Sequence, residues 1–264
     1  MSACAAVGHA KPAHFPPGQI WPPAGSQRPA SPPGLSGLRT LPGASRHFAP
    51  SPLQQGGSGP VYYTNIFNFN VNQVIPDDNP AGLTLAQNIT VAGSGTIASV
   101  SVNLDISGGF NGDLYAYLRG PNGGFAVLLN RVGVGGNNYY GYSDSGFNVT
   151  FADNAANGDI HYYQNIVNPN GGVLTGVWAP DGETNSPTGP PSSFTGSGPA
   201  TLSTFDGTDA NGTWTLFLAD LAAGNQSTIV SWGLDIVTIP EPPTISLASI
   251  GGVGLLFLFL RRRR

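Results

Sequence analysis

Four aspartates stand where a hard cation could be held. They are Asp113 in Asn111-Gly112-Asp113-Leu114, Asp153, Asp206 in Thr204-Phe205-Asp206-Gly207, and Asp220, which ends the run that carries Trp214. Calcium takes six to eight oxygens from carboxylates and backbone carbonyls, and the loop ends of a β-sandwich cluster, so two of the four could share one ion. No Asp-x-Asp-x-Asp-Gly loop exists. An aspartate in a turn also bonds its own backbone, so a turn role stands beside the calcium role at each position. Peptide hydrolysis would need an Asp, a His and a Ser within hydrogen-bond reach, with an oxyanion donor. Three of the four histidines, His9, His14 and His47, fall in the first 60 residues. His161, in Gly158-Asp159-Ile160-His161-Tyr162-Tyr163, has no Gly-x-Ser-x-Gly elbow beside it. It reads as a solvated or hydrogen-bonded loop histidine, and the chain reads as having no enzymatic activity of its own.

Two aromatic loops offer stacking surfaces: Tyr139, Tyr140 and Tyr142 with Asn137 and Asn138, and Tyr162 with Tyr163. They suit carbohydrate or matrix contacts, and they suit packing equally well. Gly135-Gly136 and Gly171-Gly172 are turn glycines, since no helical pattern follows them to complete a phosphate loop. Residues 61–240 carry two basic residues against 13 acidic ones, a net charge of −11. Nucleic acid is thereby excluded as a partner, because no basic face is present to displace counterions. The single cysteine, Cys4, rules out an internal disulfide. Stability must come from packing, with or without a metal.

The elements that position these residues are strands. From residue 61 to 238 the chain alternates short β-branched and aromatic runs with Gly, Asn and Asp, at the intervals of an all-β sandwich. Val100, Val102, Leu104 and Ile106 alternate with Ser101, Asn103 and Asp105, which predicts a strand over 97–106 with one face inward. Trp214, Leu216 and Leu218 predict a second strand; Trp232, Leu234 and Ile236 predict a third, with both tryptophans in the core. The turn-rich Asp220-Leu221-Ala222-Ala223-Gly224-Asn225 between them predicts that these two pair as an antiparallel hairpin.

Several runs together resemble the P domain, also called Homo B, of the proprotein convertases. Asn211-Gly212-Thr213-Trp214-Thr215-Leu216, then Ala219-Asp220, Gly224 and Ser231-Trp232-Gly233-Leu234, is similar to that family's closing signature. The strand over 97–106, followed by Asn111-Gly112-Asp113-Leu114 and Leu118-Arg119-Gly120-Pro121-Asn122-Gly123, is similar to its opening one. The resemblance covers residues 83–238. It implies a jelly-roll β-sandwich of galactose-binding-like architecture, usually found beside subtilisin-like or other proteases, where it stabilises or regulates the catalytic domain. This chain departs from the family in lacking the protease. The first expectation is therefore a non-catalytic exported module, displayed at the cell surface or released into the exopolysaccharide matrix; the alternatives are an accessory or regulatory domain of a subtilisin-like serine endopeptidase and a carbohydrate-binding module.

The C-terminal segment carries a different signal. Pro240-Glu241-Pro242 precedes an apolar run over 244–260 and a terminal cluster of Arg261, Arg262, Arg263 and Arg264. Seventeen residues span about 26 Å as a helix, enough to cross a hydrocarbon core of about 30 Å with local thinning. The arginines fix the cytoplasmic side. Residues 239–264 resemble the PEP-CTERM sorting signal of Gram-negative bacteria. That resemblance implies export, transient anchoring in the inner membrane, processing by an exosortase at Pro240-Glu241-Pro242, and delivery to the cell surface or extracellular matrix. Residues 1–60 hold 12 of the 24 prolines and few strand-forming clusters, so they are expected to be a disordered lead. Their start has no 7 to 15 residue apolar stretch of a secretory signal. Residues 1 to about 55 are accordingly expected to be a misassigned extension.

Overall fold

The computed structural model describes residues 62–91 and 95–240. The whole of the expected lead, 1–60, together with Glu241, Pro242, the apolar run 244–260 and Arg261, Arg262, Arg263 and Arg264, lies outside the described residues. Within them no helix is long and apolar enough to cross a membrane.

The described chain is all-β, with two sheets. The strands are β1 (Tyr63–Val74), β2 (Leu83–Ile89), β3 (Gly95–Gly108), β4 (Leu114–Arg119), β5 (Phe125–Asn130), β6 (Phe147–Phe151), β7 (Leu174–Trp178), β8 (Gly212–Asp220) and β9 (Ser227–Pro240). One sheet has the order β1-β9-β3-β6-β7, the other β2-β8-β4-β5. Pairing is antiparallel throughout except for β6 with β7. Period-two alternation makes these strands: Phe67, Phe69 and Val71 of β1 point inward, while Ile66, Asn68 and Asn70 between them are exposed. β3 extends the expected strand by two residues at each end and buries Val100, Val102, Leu104 and Ile106 as anticipated. Pro240 still pairs with Gly95, so β9 runs two residues past the expected boundary at 238.

One core cluster draws on both sheets. Trp178, Trp214 and Trp232 are its largest fully buried side chains. Trp232 packs against Phe69 at 4.8 Å between centroids, and Trp214 against Phe205 at 4.9 Å. A second, smaller cluster of Tyr115, Val127, Ala200, Phe217, Ala219 and Leu221 sits on the other face of the β2-β8-β4-β5 sheet.

The expected hairpin between the second and third predicted strands does not form. β8 pairs with β2 and β4, whereas β9 pairs with β1 and β3. The 221–226 segment therefore carries the chain from one sheet to the other. The physical reason is that Trp214, Leu216 and Leu218 must cover one side of the core while Trp232, Leu234 and Ile236 cover the other, and a hairpin would put both apolar rows in one layer.

Candidate functional site

The four candidate aspartates come together in two pairs toward opposite ends of β3. Asp113 follows its C-terminal end and is next to Asp220, since Leu114 of β4 pairs with Asp220 of β8. Asp113 is 5% exposed and Asp220 fully buried. Burial, offset by the Arg131 guanidinium and reinforced by Asp77, pushes the Asp113 carboxyl up to about 7. Burial and the neighbouring Asp113 push Asp220 up to about 7 as well. Ala222 N–H, which the carboxylate accepts at 3.4 Å, and the nearby Ser227 hydroxyl oppose that rise. Arg131 is held over this pair by donating Nε to Gly112 O and Nη2 to Tyr139 O, and burial lowers its own pKa. Gly112 has to be glycine, because a Cβ there would meet Tyr140 O at 2.4 Å.

Asp153 and Asp206 line a groove of about 710 Å³ beside the N-terminal half of β3, with Ser99 and Ser101. Asp153 accepts the backbone N–H groups of Leu202 and Ser203 at 2.9 and 2.7 Å, contacts 49 and 50 residues away in sequence that hold the start of the Leu202–Phe205 3-10 turn. The carboxyl of Asp206 is raised by burial and by Asp153.

His161 is not solvated. It is fully buried in a 3-10 segment, Ile160–Asn165, whose start is capped by Asp159 accepting His161 N–H at 2.8 Å. Its Nδ1 lies 2.8 Å from Asp181 Oδ2, and its Nε2 lies 2.8 Å from Val134 O. A carbonyl only accepts, so Nε2 carries a proton. Burial pulls the His161 pKa down, but the Asp181 hydrogen bond and charge, with the Val134 carbonyl, raise it to about 9. Burial lifts Asp181 to about 6 against the opposing pull of His161. At neutral pH the two thus form a buried ion pair. Asp181 also accepts Asn130 N–H at 3.0 Å and Glu183 N–H at 3.3 Å. Its segment is fastened to β5 by Asp181 N–H to Leu128 O and Gly182 N–H to Val127 O.

Glu183, 2% exposed, completes this cluster. One carboxylate oxygen accepts the Thr195 N–H and hydroxyl. The other has no partner, and neither has the Oδ1 of Asn130, whose amide Nδ2 donates to Glu183 O and Asn185 O. The sequence singled out His161 but not Asn130, Asp181 or Glu183. Asp181-Gly182-Glu183 looks like an ordinary turn, and no spacing rule connects it to a histidine 20 residues earlier.

The aromatic loops divide. Tyr139 and Tyr140 are 61% and 48% exposed, while Tyr163 is fully buried. Tyr163 donates its hydroxyl to Asp144 at 2.7 Å and accepts from Asn111 at 3.1 Å. Tyr142 packs edge-on against it at 4.7 Å. One loop tip is available for contacts, and the second aromatic pair is half core.

No model of a known protein family matches this chain, and no curated protein matches it in sequence. Among solved structures it is similar to a serine protease of Aeromonas sobria, with 16% identity, a TM-score of 0.39, and coverage of 70% of this chain and 28% of that one. It is also similar to the complex of that protease with its chaperone, at 14% identity, a TM-score of 0.40, and coverage of 68% and 27%. This chain spans little more than a quarter of those proteins, and a likeness this shallow assigns it neither a fold family nor an activity.

Proposed function

We propose that this chain is a non-catalytic, exported module of the P-domain type with jelly-roll connectivity, acting as an accessory domain of a subtilisin-like serine endopeptidase. The observation that carries this reading is the strand order. In β1-β9-β3-β6 and β2-β8-β4-β5 the first and last strands pair, and the succeeding ones interleave between sheets, as in the two Greek keys of a jelly roll. The opening and closing runs that resemble the P domain, about a hundred residues apart, become neighbouring inner strands: β3 beside β9, and β4 beside β8. The geometry of His161 supports the non-catalytic half, because both ring nitrogens are engaged by protein partners and the ring is fully buried. Export, exosortase processing and transient inner-membrane anchoring rest on residues 239–264 alone.

The test is recovery of the tagged full chain from cells, with co-eluting proteins labelled by a fluorophosphonate probe for active serine hydrolases. A labelled endopeptidase whose thermal half-life shortens when the chain is removed is the expected result. Retention of the chain on matrix exopolysaccharide, with no labelled partner, overturns the accessory role in favour of a displayed binding module.

A further inference from the structure

We propose that His161, Asp181 and Glu183 form a binding site for a divalent transition-metal ion of the zinc class, with the Asn130 side-chain carbonyl as a fourth donor. The site is separate from the four aspartates and does not depend on the accessory-domain reading.

Three observations carry it. The first is convergence. One donor atom from each of His161, Asp181 and Glu183 lies within 4.8 Å of the others, although the residues come from a 3-10 segment and a loop 20 residues apart. The second is an unfilled valence. Nearly every other polar atom around the cluster has a partner, yet Glu183 Oε2 and Asn130 Oδ1 are buried with none. Asn130 cannot resolve this by turning its amide over, because its Nδ2 is fixed by two carbonyls, at 3.1 Å each. A buried acceptor without a donor is costly, and a cation satisfies both oxygens at once. The third is the orientation of the imidazole. Nε2–H is committed to the Val134 carbonyl, which leaves Nδ1 as the ligating nitrogen. A ligating histidine usually donates its other ring N–H to a carbonyl or carboxylate in this way.

The donor chemistry selects the ion. One imidazole nitrogen with carboxylate and amide oxygens suits zinc and its neighbours, whereas calcium and magnesium take oxygen alone, and no thiolate is present to favour copper(I). Two donors each about 2.1 Å from a tetrahedral ion stand about 3.4 Å apart, so Nδ1 and Asp181 Oδ2, 2.8 Å apart in the hydrogen-bonded pair, separate by several tenths of an ångström to admit it. On binding, the ion replaces the proton shared along that line. The proton leaves to solvent, so the imidazolium becomes a neutral imidazole and the dication balances both carboxylates. The cluster is closed over by the loop that carries Thr195 and Ser197, which Asp159 and Glu183 hold down, so entry requires that loop to open.

The experiment uses the full chain, stripped with chelator at pH 7.5, given zinc chloride, desalted and measured by native mass spectrometry and thermal melting. One retained zinc per chain and a melting temperature raised by about 5 °C are expected. Glu183→Gln keeps the Oε1 contacts to Thr195 and is expected to weaken retention at least tenfold. Cobalt(II) substitution of the wild-type chain provides a ligand-field spectrum of mixed nitrogen and oxygen coordination, which keeps the proposal testable where a variant fails to fold. No stoichiometric zinc in the wild type overturns the site, as does undiminished retention by folded Glu183→Gln. Stoichiometric calcium in preference to zinc overturns the assigned class.

Discussion

Changing Asp220 to Asn should make the protein more stable at pH 8, and by less than half as much at pH 5. Asp113 and Asp220 share a buried corner, and both carboxyls are pushed up to about 7 from 3.8. Between those values the folded chain holds protons that the unfolded chain has released, so stability falls as pH rises from about 4 to about 7. This is the reverse of the usual carboxylate, which is stabilising once ionised. A shift of three units is worth ~4 kcal/mol in full, and screening by solvent around the covering loops and Arg131 reduces it to about 2 kcal/mol. The two carboxyls titrate as a coupled pair, so their contributions do not simply double. Asn at 220 preserves the shape and an oxygen for Ala222 N–H, and presents an amide N–H to the nearby Ser227 hydroxyl oxygen. Urea titrations of both proteins in chelator at pH 5 and pH 8 measure the difference. The expected gain is about 2 kcal/mol at pH 8, or 4 to 8 °C in melting temperature for a domain of this size, against under 1 kcal/mol at pH 5, where the unfolded chain has already released the proton that the folded chain keeps. A gain of the same size at both pH values, or a loss at pH 8 because Arg131 had been paired with the Asp220 charge, would refute the reasoning.

Calcium added at pH 8, where that pair has shed its protons, is expected to raise the melting temperature over the chelator baseline, and to do so less in Asp113→Asn; superimposed melts would remove calcium from Asp113 and Asp220. Gly82→Ala should cost about 1 to 3 kcal/mol, because Gly82 has φ +54° and a Cβ would stand 2.2 Å from Leu218 O; an unchanged urea midpoint contradicts this. Asp144→Ala removes the acceptor shared by the Tyr163 hydroxyl, Gln164 Nε2 and Gly171 N–H, with an expected loss of about 1 to 3 kcal/mol. In a double-mutant cycle that loss should shrink in a Tyr163→Phe background, and additive losses would mean the hydroxyl is not part of the cost.

What the sequence revealed and what it concealed follow from the range of each signal. The strand around Val102 and Leu104, and the rows led by Trp214 and Trp232, were legible because alternation is a local property that burial on one face enforces. The partnership of those last two rows was not. Gly224 and Asn225 announce that the chain turns, but a turn within a sheet and a crossing between sheets use the same residues, and only the need to cover both sides of the core decides between them. The four aspartates were recognisable as loop residues, yet their grouping into Asp113 with Asp220 and Asp153 with Asp206 depends on strand order. His161 was visible as the one histidine outside the lead. Its burial depends on Asp181, Glu183 and Asn130, which reach it from a distant loop and a strand end, where no periodicity operates.

β1 and β9 lie side by side with Tyr63 opposite Thr238, and β3 runs beside β9 from Gly95, opposite Pro240, to Gly108, opposite Ser227. Both connections to the rest of the chain therefore leave through one pole of the sandwich. The Asp113 and Asp220 corner and the exposed Tyr139 and Tyr140 tip belong to the other pole, roughly 40 Å away along the 14 residues of β3. The length of β3 thus sets the distance between the pole where the chain enters and leaves the sandwich and the pole that carries Asp113, Asp220, Tyr139 and Tyr140.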